Sequence, residues 1–167
     1  KAIINPVDAN AIETALQLRE KHGGRVTVLS MGVPAVQEQL RESLAMGADE
    51  AILLCDRAFA GADAYATALT IAAAIKKFCP FSLVLCGCET ADSGTRMVGP
   101  MLAEFLDVPY ATNVRAMSIL GEEACLVEAD LDGGCMKVEL TLPALITVNR
   151  AVNEPRIPDV MGIIQVA

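Results

Sequence analysis

The stretch 82-SLVLCGCETADSGTRMVGP-100 decides how the chain is read. A short apolar run stops at Gly87, small and polar residues follow, and a second apolar segment begins near Met97 and closes before Pro109. An apolar run this short, bounded by turn residues, predicts a buried strand. The longer segment after it, from about Met97 to Leu106, predicts a helix ending ahead of a proline. Strand, loop and helix in that order are one β–loop–α unit.

The same alternation runs upstream. Asn5 stands where a helix N-cap belongs, with Pro6 in the first turn, Asp8 where an acid suits the dipole, and Ala11, Ile12, Ala15 and Leu16 on one face. That helix is expected to end at His22-Gly23-Gly24. RVTVLSMG then reads as a strand, the segment from Pro34 to Met46 as a helix, AILLC as a strand and Asp63 to Phe78 as an alanine-rich helix. Alternating strands and helices imply right-handed crossovers, and so a parallel sheet with helices on both faces. Because the chain opens on a helix, the strand of its first unit is expected upstream of Lys1. After Pro109 the texture changes to NVRAMSIL, EACLVEADL, MKVELTL and ALITVN, separated by GEE, DGG and LP. These read as antiparallel strands extending the sheet in the C-terminal third.

Composition excludes several functions. The chain has 167 residues, 53% of them hydrophobic, enough for one well-buried core. With 13 basic against 21 acidic residues the formal net charge is -8, which repels a phosphate backbone and argues against nucleic-acid binding. Apolar runs such as ATALTIAAAI fall short of the roughly 20 residues that cross a bilayer, so no membrane insertion is expected. Six scattered cysteines fit reduced thiols in the cytoplasm better than a disulfide framework.

Three chemistries compete for the 82–100 stretch. Cys86 and Cys88 make a lone Cys-x-Cys, and with neither a second pair nor a nearby histidine they lack the ligands of a structural metal site. A hydrolase is poorly supported as well, since His22 is the sole histidine and no serine-elbow motif occurs. A phosphate site has more behind it. In an open α/β sheet ligands bind beyond the carboxyl ends of the strands, and this strand delivers the chain to that edge. Ser93, Gly94 and Thr95 are small enough for backbone amides to approach an anion, a helix N-terminus follows, and Arg96 adds a donor. A Gly-rich turn without a ligand fits the same residues, because neither a Walker A nor a GxGxxG pattern is present.

A resemblance adds to this reading. INPVDANAIETALQLRE, VTVLSMGVP, ESLAMGADEAILLCDRAFAGAD, LVLCG with its Asp-containing loop and VGP, LDGG, LPALITV and NEPRIP occur in the order seen in the beta subunit of electron transfer flavoprotein, and the chain is similar to that family over essentially its whole length. The resemblance implies a Rossmann-like adenine-nucleotide-binding domain over 1–152 and a partner-recognition arm over 153–167. It implies AMP or FAD as the cofactor, and LCDRAFAGAD tilts the expectation towards FAD and the electron-bifurcating branch. It also implies a heterodimer with the alpha subunit that carries electrons between an acyl-CoA or other flavin dehydrogenase and its acceptors, an electron carrier more than an enzyme.

Carried over by position, the nucleotide site would comprise Asn5, Pro6, Asp8, Met31, Gly87, Cys88, Asp92, Ser93, Gly94, Thr95, Arg96, Met97 and Val98. In the family's loop pattern Asp92, Thr95, Val98 and Gly99 match, while Cys88, Glu89, Gly94 and Met97 replace a cation, an amide, an acid and a second amide. The backbone cradle is kept and Arg96 is left to supply charge. Val160, with Met161 beside it, falls where the family places an apolar anchor for a dehydrogenase; a tail packed on its own domain is the alternative. A stand-alone adenine-nucleotide-binding module or hydrolase of universal-stress type is the competing function.

Overall fold

Proline at the first turn, an acid at Asp8 and a basic last turn of Arg19, Lys21 and His22 give helix α1 (Pro6–His22) the charge order its dipole favours. The computed structural model describes residues 3–90, 94–158 and 162–163. Strand β1 (Thr27–Met31) follows, then a 3-10 turn at Pro34–Val36 that runs into helix α2 (Gln37–Met46). Gly47, at φ 118°, ends α2 in the left-handed region that a residue with a side chain enters only at a cost. Strand β2 (Glu50–Leu54) leads to helix α3 (Ala64–Phe78), whose Asp63 cap accepts the Ala66 amide at 2.8 Å. Then come strand β3 (Leu83–Gly87) and helix α4 (Val98–Leu106). Strands β4 (Tyr110–Leu120), β5 (Ala124–Leu131), β6 (Gly134–Thr141) and β7 (Ala144–Val148) complete the described elements.

The strands form two sheets. Strands β1 and β2 pair in parallel, from Thr27 opposite Glu50 to Met31 opposite Leu54. The other sheet has the order β3-β7-β4-β5-β6: β7 is parallel to β3 and β4, whereas β4, β5 and β6 are antiparallel. The architecture is therefore α/β, with antiparallel strands in the C-terminal part as expected. ALITV is the exception. It was expected among the antiparallel strands, but β7 returns to the middle of the sheet, between two parallel neighbours. All five of its residues are buried, the signature of a strand covered on both faces.

The two faces are covered by different helices. Leu83, Leu85, Ala144, Ile146 and Val148 belong to one core with Ala11 of α1 and with Val127 and Ala129 of β5. Val84, Cys86 and Leu145 point the other way, into a second core with Ala68, Ala72 and Ile75 of α3 and Leu102, Ala103 and Leu106 of α4. This period-two division along β3 and β7 is what a doubly covered sheet requires. Leu29 of β1 packs into the second core, so the small sheet stands beside the larger one. Ile12 and Leu16 of α1 close a third core with Val26, Met46 and Ala48.

Asp49 ties that third core together. Its carboxylate accepts the Val26 amide at 2.8 Å and an Arg19 guanidinium N–H at 3.0 Å, and the same guanidinium nitrogen donates to the Gly47 carbonyl at 2.7 Å. The Val26 hydrogen bond outweighs the desolvation that comes next, and with Arg19 adding to it holds the Asp49 carboxyl below the usual carboxylate range. A carboxyl whose pKa is depressed on folding stabilises the protein above its unfolded value, and that contribution is lost as pH falls through the folded one.

Two outcomes follow from this arrangement. Truncating the fully buried Ile146 to Ala removes packing from the strand on which both faces converge, and should cost about 2–5 kcal/mol in urea unfolding. Asp49→Asn should flatten the loss of stability on acidification below about pH 4, read as urea midpoints across a pH series, with little change in that slope between pH 5 and 7.

Candidate functional site

The carboxyl end of β3 lies between two helix starts. On one face the first turn of α1 approaches so closely that a β-carbon on Gly87 would stand 2.6 Å from the Val7 Cγ2 and 2.9 Å from its backbone carbon. Only glycine fits there. The Gly87 amide donates to the Asp8 Oδ1 at 2.7 Å, and the Asn5 Nδ2 donates both to the Asp8 Oδ2 at 2.9 Å and to the Glu89 carbonyl at 2.8 Å. On the other face, Val98 in the first turn of α4 packs into the core that holds Val84 and Cys86.

Asn5 occupies the N-cap position expected of it but does not cap. Its side chain makes no capping bond to its own helix and is spent on the loop instead. Met97, at the corresponding position of α4, supplies no side-chain cap either. Two helix N-termini therefore meet one strand end without side-chain caps. A helix N-terminus carries partial positive charge and unpaired amides, and such an end is a natural seat for an anion.

The loop between β3 and α4 is held at its base. Cys88 donates its amide to the Val148 carbonyl at 2.9 Å, and Gly94 donates its amide to the Thr90 carbonyl at 3.0 Å. Gly94 and Arg96 both have φ of 57°, so the chain turns twice through the left-handed region before α4 begins. Arg96 does not stand alone: its Nε donates to the Glu89 Oε2 at 2.8 Å, across the loop. The hydrogen bond to Glu89 and that residue's charge raise the Arg96 pKa further, so the guanidinium stays charged at any working pH.

The two thiols are quiet groups. Desolvation, with the Asp8 carboxylate and Cys88 adding to it, pushes the Cys86 thiol up to about 12. Cys88 is buried and its thiol is likewise raised, mainly by desolvation. Neither offers the thiolate that nucleophilic or metal chemistry needs at neutral pH. Among the described residues no group of three His, Cys, Asp or Glu side chains is placed to hold a metal ion.

Of the residues expected in the site, Asn5, Asp8, Gly87, Cys88, Arg96 and Met97 gather around the end of β3, with Pro6 opening α1, Val98 opening α4, and Gly94 and Thr95 in the loop. Met31 closes β1 at the carboxyl edge of the smaller sheet. Asp92, Ser93, Val160 and Met161 lie outside the described residues.

A second polar cluster on the same edge went unnoticed in the sequence. Asn113, at φ 57°, marks an irregularity in the β4–β7 pairing and donates its amide to the Thr147 hydroxyl at 3.0 Å. Its Nδ2 donates to the Asp130 carbonyl, while the Asn149 Nδ2 donates to the Asn113 carbonyl at 3.1 Å and to the Asp130 carboxylate at 2.9 Å. Asn149 directly follows Val148, which receives the Cys88 amide, so this knot braces the loop from the β7 side. An Asn able to enter the left-handed region is a recognisable signal, but its partners lie 17 to 36 residues away in sequence.

Known proteins resemble this chain in sequence. The electron transfer flavoprotein domain model matches residues 1–166. The chain is 50% identical to the electron transfer flavoprotein subunit beta of Thermoanaerobacterium thermosaccharolyticum over 162 residues, covering 97% of this chain and 62% of that protein. It is 45% identical to the caffeyl-CoA reductase-Etf complex subunit CarD of Acetobacterium woodii, covering 97% of this chain and 62% of that protein. Protein FixA of Azotobacter vinelandii is 42% identical, covering 99% of this chain and 61% of that protein. The chain thus spans about three-fifths of the length of these relatives. With the domain match running from end to end and relatives at up to half identity, the chain belongs to the electron transfer flavoprotein family, in its beta-subunit branch.

Proposed function

We propose that this chain holds an adenine nucleotide, FAD in preference to AMP, at the carboxyl edge of β3. In that role it works as the beta half of a heterodimer passing electrons from an acyl-CoA or other flavin dehydrogenase to an acceptor. The observation that carries the reading is the pair of helix starts without side-chain caps at Asn5 and Met97, brought to one strand end with Gly87 pressed against α1. Backbone amides there meet a phosphate without the desolvation cost of burying a lysine. Asn5, Pro6 and Asp8 would form one wall, Gly87, Cys88 and Gly94 to Val98 the cradle, with Asp92 and Ser93 completing the loop and Met31 beside the base. The stretch LCDRAFAGAD supports the preference for FAD.

When bound, a flavin supplies the redox chemistry. The protein's share is to hold the nucleotide, orient it and exclude water. Asp8 does the holding indirectly: by accepting the Gly87 amide it fixes the loop's origin against α1, and by accepting from Asn5 it sets that side chain on the Glu89 carbonyl. Residues 1–152 act as the nucleotide domain and 153–167 as the arm that meets the partner protein, in the cytoplasm. Among the described residues no helix is long and apolar enough to cross a membrane.

Heating the complex of full-length chains and measuring the mass and absorbance of what is released tests the reading. FAD or AMP in amounts matching the beta chain is the expected result. An isolated chain that hydrolyses ATP, with no nucleotide retained in the complex, would instead favour a universal-stress-type module. Asp8→Ala breaks the tie between α1 and the loop, and should weaken nucleotide retention by about tenfold or more, the usual size for losing a charged hydrogen-bond partner. The Arg96→Ala change should cost less, because Glu89 already engages that side chain.

A further inference from the structure

A dense set of long-range polar contacts among the described residues lies away from the nucleotide edge, where the chain after β7 crosses α1. Asn10 and Asn153 exchange amide bonds: the Asn10 Nδ2 donates to the Asn153 carbonyl at 2.9 Å and the Asn153 Nδ2 to the Asn10 carbonyl at 3.1 Å, with a further bond from Asn153 to the Thr14 hydroxyl at 2.8 Å. One turn along α1, Glu13 is buried, its side chain only 5% exposed. It takes three hydrogen bonds from one residue: the Arg156 Nε at 2.7 Å, Nη2 at 3.1 Å and backbone amide at 3.1 Å. The Arg156 Nη1 reaches about two turns further, to the Glu20 carboxylate at 2.6 Å.

This grip closes on a buried charge. A carboxylate taken out of water is costly unless fully paired, and here one guanidinium fork pairs it. Burial alone would raise the Glu13 carboxyl; Arg156 and Gln17 more than offset that and keep it below the usual range. Directly beyond the grip the character reverses. Ile157 is 88% exposed and Pro158 follows it, so an apolar side chain is held out in water on a stiff stretch of chain. The chain is caught again at Gly162, where a β-carbon would stand 2.5 Å from the Ala45 carbonyl oxygen at the end of α2. Ile157 thus follows directly on a fixed point on α1, and Gly162 lies against α2.

We infer that Arg156, gripped by Glu13 and Glu20, is a positioning residue that sets where the arm leaves the domain, so that the exposed Ile157 meets the redox partner protein in a preformed arrangement. This rests on the electron-carrier reading above and adds to it the residues that fix the arm. Ordering an exposed segment before contact removes an entropy cost from docking, so loosening the grip weakens the encounter while leaving the nucleotide site alone. Glu13 and Glu20 act through Arg156 and touch neither nucleotide nor partner.

The test uses the full-length heterodimer with a flavin dehydrogenase as donor, and two variants. Arg156→Lys keeps the charge and loses the fork; Glu20→Gln weakens only the exposed limb and leaves the buried pair intact. For Arg156→Lys, hydrogen exchange in peptides covering 153–163 should quicken about tenfold or more and the KM for the dehydrogenase should rise about tenfold. The kcat should change far less and nucleotide content not at all; Glu20→Gln should move both quantities the same way by less. Unchanged exchange in the arm overturns the inference, as does faster exchange with an unchanged KM, which would make the grip a structural tie and nothing more. A wild-type pair that passes no electrons from the dehydrogenase overturns the electron-carrier reading instead, and the exchange result still decides whether Arg156 fixes the arm.

Discussion

The bond from the Gly87 amide to the Asp8 carboxylate joins parts of the chain 79 residues apart, and the geometry of the candidate site depends on it. It presses the first turn of α1 against the end of β3 so tightly that position 87 admits no side chain. With that contact made, Asn5 faces the loop, and the loop must leave β3 in the direction that brings Gly94 and Arg96 to the start of α4. A carboxylate receiving a backbone amide in a half-buried setting is among the stronger hydrogen bonds available to a protein. That strength suits a position where the sheet edge would otherwise carry an unpaired amide.

Much of this was legible in the sequence. The β–α alternation of the first hundred residues reports local propensity and capping, and α1, α3 and α4 begin and end where Pro6, Asp63 and Pro109 place them. The fate of ALITV was harder to read. A continuous apolar run says that both faces of a strand are buried, but not which neighbours bury it, and its position after three antiparallel strands hid its return to the parallel part of the sheet. Asn5 misled in a different way. An asparagine before Pro6 is a good cap in isolation, yet its side chain finds the Glu89 carbonyl, a partner that local pattern cannot reveal.

The same limit hides the grip on the arm from local sequence pattern. Glu13 reads as an ordinary polar position on an amphipathic helix, and Arg156 as part of a motif recognisable only by resemblance. Their pairing spans 143 residues, and it turns Glu13 from a solvent-facing acid into a buried one. Helix α1 thereby serves two regions from one side: its first turn holds the loop after β3, and its middle holds the chain after β7. Helix α1 is one continuous element, so its two contacts tie the loop after β3 and the chain after β7 to one frame.

Charge then decides how such a frame would hold an anion. The chain is acidic, at -8, and between Gly87 and Pro100 its sole cationic side chain is Arg96, already bonded to Glu89 at 2.8 Å. An exposed pair of this kind is screened by solvent, so it yields readily to a better partner but adds little net charge while intact. Side-chain cations therefore contribute weakly to any phosphate at this edge, and attraction must come from the dipoles of α1 and α4. Those are fixed by the fold and do not titrate, whereas a lysine cluster would work against the repulsion of the surrounding carboxylates only at low salt. An acidic protein would thus face no contradiction in holding an anion here: the field that matters would be built from backbone, and the net charge of the surface would lie largely beyond its reach.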